Sequence, residues 1–274
     1  MTAVDWIGAE AAPDGLTLWA AGGGQLRARR VVPLPPAAPL VPALSRAIAE
    51  HFPDATGCPI LACGFPGAAE RVLPAAPFAP GPVPAEANML LLPSLLQTAP
   101  RVVVGASAAL RLAGCLAADP GFDGVICLTG AESVWAEISA GEVVGVMAAL
   151  SGALAEAMLA SPWFAALAGA SIDLAAFDAD LGTAMSRPER LARTLAEARA
   201  LAPAEGRARL FAALIGAELA AARPWWLGRR LRVLGPHATL YLRALAAQGA
   251  VATEGDGEAA LFAGFMLAAR ALAP

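Results

Sequence analysis

The chain contains no lysine: all 19 basic residues are arginine. That excludes a Walker-type phosphate loop, which needs a lysine on the terminal phosphates, and it excludes Schiff-base chemistry. Histidine is scarce, with only His51 and His237. The four cysteines, Cys58, Cys63, Cys115 and Cys127, follow no metal-ligand spacing. A structural zinc site needs four well-placed ligands, so none is expected. Charged residues make up only 15% of the chain, and the formal net charge is −4. There is no basic stripe with interleaved aromatics, so no nucleic-acid partner is expected. Long apolar runs are missing as well. Hydrophobic residues reach 58%, but Pro, Gly, Arg and Glu interrupt every stretch before the roughly 20 residues that a membrane helix needs. The opening Met1–Asp5 has neither the basic start nor the apolar run of a signal peptide. These absences predict a cytoplasmic protein without a membrane partner, in which cysteines stay reduced. Cys63 and Cys127 each close an apolar run and read as buried strand residues.

The 274 residues suit two compact lobes better than one large core. Val4–Ile7, Leu16–Ala20 and Gln25–Val32 read as an antiparallel meander broken by turns, the second at Gly22-Gly23-Gly24. A proline-rich connector over Pro33–Pro42 leads to a short helix over Ala43–His51. Pro59–Cys63 is an apolar strand that ends in the turn Gly64-Phe65-Pro66-Gly67. Residues 74–93 carry many prolines and predict an ordered wrap. A strand at Val102–Val104 and a helix over Ala106–Ala118 follow. Gly124–Leu128 is a buried strand, and Val134–Ser139 and Glu142–Met147 form a hairpin about Ala140-Gly141. Helical spacing then marks segments near 147–160, 172–184, 188–201 and 204–222. The chain closes with a strand at Leu231–Leu234, a corner at Gly235-Pro236-His237, a helix over Ala238–Gln248, a short strand over Ala250–Ala252 and a helix over Glu258–Leu272. Two meanders, each followed by helices, predict a duplicated α/β architecture with lobes at 1–118 and 119–274.

Several segments, in order along most of the chain, resemble the 2-keto-3-deoxygalactonate kinases. Asp5-Trp6-Ile7-Gly8, followed by Leu16-Thr17-Leu18-Trp19, resembles that family's Asp-Trp-Gly-Thr-Ser, then Leu-Arg-Ala-Trp. Leu61-Ala62-Cys63-Gly64-Phe65-Pro66-Gly67 resembles its Ala-(Cys/Gly)-Gly-Met-(Ile/Val)-Gly-Ser turn. Leu128-Thr129-Gly130-Ala131-Glu132-Ser133-Val134-Trp135 resembles its Leu-Pro-Gly-Thr-His-Ser-Lys-Trp segment. Phe211–Ala220, reading FAALIGAELA, resembles its SGLLIGAE helix. Val233-Leu234-Gly235 with Tyr241 resembles its adenosine-side strand, glycine and helix.

The resemblance implies an actin-like ATPase (ribonuclease H-like) duplicated α/β fold, two lobes with a central cleft. It implies ATP and Mg²⁺ as cofactors and a sugar acid as substrate, phosphorylated at its C6 hydroxyl. Gly8, Gly130, Ser133, Gly216 and Gly235 are then the nucleotide and phosphate side, Gly64 and Gly67 the substrate side, and Asp5 the metal carboxylate. The physical logic is general: hairpin turns present backbone N–H groups to phosphates, and glycine lets the backbone approach. A carboxylate at the end of the first strand holds the hydrated cation, and phosphoryl transfer needs mainly alignment and charge neutralisation.

The sequence also departs from that family. Ile7 replaces the turn glycine, Ala9, Ala11 and Ala12 lack hydroxyls, and Glu10 brings a negative charge. In the second hairpin Ala131 stands for Thr, Glu132 for His and Val134 for Lys. The acidic substrate segment Asp-Val-Met-Arg-Gly-Glu-Glu-Thr-Gln is matched by Arg101-Val102-Val103-Val104-Gly105-Ala106-Ser107-Ala108-Ala109, so an arginine and the carboxylates are gone. Met147-Ala148-Ala149-Leu150-Ser151 stands where the family has Met-Thr-Gly-Glu-Leu. No catalytic base is assigned. Three functional readings stay open: one is an active kinase, and another a pseudokinase that binds a ligand or a regulatory partner. A third is a structural relative whose Ala- and Leu-rich helices make homo-oligomer contacts.

Overall fold

The computed structural model describes residues 4–271 except 13, 36, 56, 79–82 and 85–87. The first three residues, part of the proline-rich 74–93 wrap and the end of the last predicted helix lie outside the described residues. By contacts the chain divides into two units. One comprises Met1–Phe122, Ala140–Val144 and Gly257–Pro274; the other comprises Asp123–Ser139 and Gly145–Asp256.

The first unit opens with β1 (Trp6–Ala12), β2 (Gly15–Gly22) and β3 (Gln25–Pro33), then α1 (Leu40–His51) and β4 (Ile60–Cys63). Next come β5 (Glu70–Val72), β6 (Val83–Pro84), β7 (Met89–Leu91), β8 (Ser94–Thr98), β9 (Arg101–Val104) and α2 (Ala106–Ala118). Its main sheet has the order β3-β2-β1-β4-β7-β6, and β5, β8 and β9 form a small second sheet. The first three strands are antiparallel, whereas β4 runs parallel to β1 and β7 parallel to β4.

The second unit begins with β10 (Gly124–Leu128), β11 (Ser133–Ser139) and, from Gly145 on, β12 (Glu142–Ala149). It continues with α3 (Ser151–Ala160), α4 (Leu174–Ser186), α5 (Leu191–Ala198), α6 (Pro203–Ala221), α7 (Arg223–Trp226), β13 (Leu231–Leu234), α8 (Ala238–Ala247) and β14 (Ala252–Gly255). Its sheet order, β12-β11-β10-β13-β14, repeats that of the first unit. Here β10 and β11 are antiparallel, and β10, β13 and β14 are parallel. The repeated order, a meander extended by parallel strands, is the actin-like ATPase fold. The β11–β12 turn has positive φ at both Ala140 and Gly141, the backbone that matches the right-handed twist of a tight hairpin.

Alternation along β1 decides what each residue meets. Ile7 and Ala9 join Leu16, Leu18, Leu44 and Ile48 in a core on the α1 side. Trp6 joins Trp19, Leu61, Cys63, Leu110, Leu261 and Phe265 on the opposite face. That second face is covered by α2 and by the last helix, α9 (Gly257–Arg270). The sequence reading put α9 in the second lobe, yet its contacts lie with the first unit. Two glycines let α9 settle against α2. A Cβ on Gly114 would lie 1.9 Å from the Ala260 carbonyl, and one on Gly264 would lie 2.3 Å from the Leu110 carbonyl.

Candidate active-site residues

In sheets of this kind ligands gather at the carboxyl ends of the parallel strands, where loops and helix starts expose backbone groups. In the first unit that end belongs to β1 and β4. The ladder between them runs from Ile7–Ile60 to Glu10–Cys63. Glu10 is therefore the last β1 residue paired to β4, and it shares the α2–α9 side of the sheet with Trp6 and Gly8. Arg111 on α2 meets it with two hydrogen bonds: Nη1 donates to Oε1 at 2.9 Å and Nη2 to Oε2 at 3.3 Å. Both side chains are largely covered, 26% exposed for Arg111 and 17% for Glu10. Cys63 lies alongside, buried, with its Sγ 3.5 Å from the Ala9 carbonyl. Burial, and then the Glu10 charge, push the Cys63 thiol well up, with Arg111 pulling the other way. The thiol stays protonated and inert.

The Gly64–Gly67 turn follows β4 at this same end. Gly64 has φ +81, and a Cβ there would sit 2.3 Å from the Ala11 carbonyl, so the turn needs a glycine to lie against β1. Gly67, with φ +92, lies near Leu91. A cavity of about 360 Å³ opens on the other face of β1, lined by Ala11, Ala12, Leu34, Ala37, Leu40 and Gly64.

Asp5 is at the opposite end of β1. Its carboxylate accepts from the Gly23 backbone N–H at 2.7 Å, in the β2–β3 turn. Five residue steps separate it from Glu10, roughly 17 Å at about 3.3 Å per step. Gly8 is not a turn residue either. It pairs with Trp19 and Leu61 in mid-strand, and a Cβ on it would press on the Phe265 ring at 3.0 Å. β1 stays paired with β2 as far as Ala12 and Gly15, so the strand runs on past the position where the resemblance implies its turn.

The second unit has the equivalent end where β10 and β13 stop together at Leu128–Leu234. Thr129 next to it is buried; its backbone N–H and its Oγ1 both donate to the Leu234 carbonyl, at 2.7 and 3.0 Å. Gly235 has φ +114, and a Cβ there would stand 2.0 Å from the Thr129 carbonyl. Only glycine brings the β13–α8 corner that close. Gly130 heads the β10–β11 turn, and α3 starts directly against it. A Cβ on Gly152 would lie 1.9 Å from the Gly130 carbonyl, and the Ala153 N–H donates to the Ala131 carbonyl at 2.7 Å. Gly130 and Gly235 thus meet around Thr129. His237 precedes α8, its backbone N–H 3.3 Å from Thr129 Oγ1 and its ring 5.5 Å from Phe211. Burial lowers its imidazole pKa, with smaller opposed influences from Glu156 and Arg207.

Ser133 and Gly216 find other work. Ser133 is fully buried. Its hydroxyl lies 2.8 Å from Tyr241 OH and 3.2 Å from Glu218 Oε2. Glu218, on the FAALIGAELA helix, also accepts from Tyr241 OH at 2.7 Å and from Trp135 Nε1 at 2.8 Å. Burial, and then the Glu218 charge, push the Tyr241 phenol up, so it serves as a donor. This knot ties β11 and α8 to α6 from inside the core. Gly216 faces α4, where a Cβ would come 2.6 Å from the Ala184 Cβ. It allows two helices to cross.

Among the described residues no group of three or more His, Cys, Asp or Glu could hold a metal ion, and no helix is long and apolar enough to cross a membrane. The sequence matches the family described as 2-keto-3-deoxy-galactonokinase over residues 18–268; Glu10 and the first turn lie ahead of that span. The crystal structure of a provisionally named 2-dehydro-3-deoxygalactonokinase from Sinorhizobium meliloti is similar at TM-score 0.86 and 25% identity, covering 98% of this chain and 97% of that one. Component A of the (R)-2-hydroxyglutaryl-CoA dehydratase from Acidaminococcus fermentans is similar at TM-score 0.54 and 10% identity, over 96% and 97% of the two chains. That is a likeness of fold alone. No curated protein matches. A family match across nearly the whole length, on the duplicated fold described above, places this chain in the 2-keto-3-deoxy-galactonokinase family.

Proposed function

We propose that this chain is a pseudokinase of the sugar-acid kinase family: it keeps the scaffold for a small cytoplasmic ligand and does not transfer phosphoryl groups. One observation carries the reading, the make-up of the turn at the carboxyl end of β1. A turn that cradles a magnesium-bound triphosphate needs free backbone N–H groups, small hydroxyls and no competing anion. Among the described residues the chain here reads Ala11 and Ala12 at the end of β1, then Asp14 and Gly15. The alanines have no hydroxyl, and Asp14 adds a negative charge. Glu10, the acid at the strand end, is already neutralised by Arg111. These residues do not fit MgATP. Gly64 and Gly67 remain as the substrate-side turn, and Gly130 and Gly235 as the nucleotide-side turns. The carboxylate role expected of Asp5 passes to Glu10 by position.

An active kinase is the second reading. It is favoured by the intact Gly64 and Gly235 corners, each built so that only glycine fits. It would carry the γ-phosphate of ATP to the C6 hydroxyl of 2-keto-3-deoxygalactonate. Isothermal titration with ATP and ADP, each with Mg²⁺, and a coupled ADP-release assay on that sugar acid separate the two. The proposed reading expects no ADP release; sustained, substrate-dependent release would overturn it.

A further inference from the structure

We infer that Arg111 is a resident cation that takes the place of a divalent metal at Glu10, so that this unit binds whatever ligand it takes without metal. The inference deepens the reading above and rests on it. A strand-end carboxylate serves a hard cation only if its oxygens are free to point at the ion or at its water shell. Here both oxygens of Glu10 are held, one by each terminal nitrogen of Arg111. This two-point pairing is the strongest geometry that a carboxylate and a guanidinium can adopt. The guanidinium keeps its charge at any pH a protein tolerates.

The partner arrives through packing. Leu110, one residue earlier on α2, is buried in the core that covers this face of the sheet, so Arg111 is carried to the strand end by a fixed helix. The nearby Cys63 is soft, buried and protonated, and offers a hard cation nothing. Among the described residues no group of three or more metal-type ligands forms. A metal approaching Glu10 would therefore meet a fixed positive charge about 3 Å from the oxygens it needs. Even at an effective dielectric of about 20, that repulsion outweighs a tenfold change in affinity.

Mn²⁺ provides a spectroscopic probe that does not depend on turnover. Its binding is followed by electron paramagnetic resonance on the full chain: wild type, Arg111→Gln, Arg111→Met, and the double variant Glu10→Gln/Arg111→Gln. The expected result is no Glu10-dependent site in wild type. Arg111→Gln should gain one site, roughly tenfold or more tighter than any wild-type binding, and the double variant should lose it. Arg111→Met repeats the test with an apolar stem should the amide itself occupy the carboxylate. If either variant folds poorly, a rise in its melting temperature on adding Mn²⁺, absent in wild type, reads the same gain. A wild-type Mn²⁺ site abolished by Glu10→Gln would overturn the inference, as would failure of both Arg111 variants to gain one. Glu10-dependent Mn²⁺ binding without ADP release would defeat this inference alone. ADP release without such binding would defeat only the pseudokinase reading.

Discussion

Glu218→Ala should cost this protein about 2–6 kcal/mol, because it strips a shared acceptor from a fully buried polar knot. Three donors converge on the Glu218 carboxylate, from Ser133, Trp135 and Tyr241, and all three residues are at most 2% exposed. Without the carboxylate, Ser133 and Tyr241 can still bond each other across their 2.8 Å separation. Each hydroxyl has one proton, so that pair leaves one O–H unmatched. The Trp135 N–H is the second orphan, and each buried orphan costs about 1–3 kcal/mol. At about 2–4 °C per kcal/mol for chains near this size, the melting temperature should fall by roughly 4–24 °C. Glu218→Gln should behave quite differently. Its amide oxygen can turn to Trp135 while its NH₂ donates to the two hydroxyls, which can accept. One hydroxyl proton of the Ser133–Tyr241 pair still lacks an acceptor, so the loss there should be about 1–3 kcal/mol, less than for Ala because Trp135 keeps its partner. Thermal and chemical unfolding of both variants, watched by circular dichroism, provide the comparison. Tyr241→Phe in the Glu218→Ala background should cost less than Tyr241→Phe alone, since contacting residues couple. A Glu218→Ala penalty under about 1 kcal/mol, or equal penalties for Ala and Gln, would refute the idea that the acceptor holds the knot together.

Gly264→Ala should destabilise by about 1–3 kcal/mol even though alanine is the better helix former, since the added Cβ lies 2.3 Å from the Leu110 backbone carbonyl; a raised melting temperature would show that α2 and α9 can part without cost. His237 should make stability fall as pH drops below about 6.5. Its imidazole pKa is lowered in the folded chain, so the unfolded chain takes up a proton first and gains from acid. Above the unfolded pKa both states are neutral and the full stability is present. Melting temperatures of wild type and His237→Asn from pH 7.5 to pH 5, at about half-unit steps, should diverge toward acid, with the wild type losing more; parallel curves would remove His237 from the account.

Much of the fold is legible in the chain itself. Period-two runs separated by glycine turns give the two meanders, and the Ala140-Gly141 pair marks a hairpin that the backbone angles bear out. The four helical segments between Met147 and Ala222 appear with shifts of a few residues at their ends, as helix ends follow from capping and packing that pattern alone does not show. The site is less legible. A reading outward from Asp5 ended β1 near Ile7. The strand in fact continues to Ala12, because its ladder partner β4, some fifty residues on, holds it extended through Glu10.

The local pattern of the sequence determined that there would be strands, that they would alternate faces, and that Gly64 and Gly235 would mark sharp corners. It also excludes a lysine-based phosphate loop, since the chain has no lysine. Tertiary structure alone decided which acid stands at the strand end and who neutralises it, since Glu10 and Arg111 are 101 residues apart. It decided as well that Ser133 would spend its hydroxyl on Glu218, 85 residues away, and that α9 would return to cover the first sheet. The physical reason is the same throughout. Periodicity reports which side of an element is apolar, whereas partners are chosen by close approach, and close approach rests on missing Cβ atoms and paired charges that become neighbours only once the chain is folded.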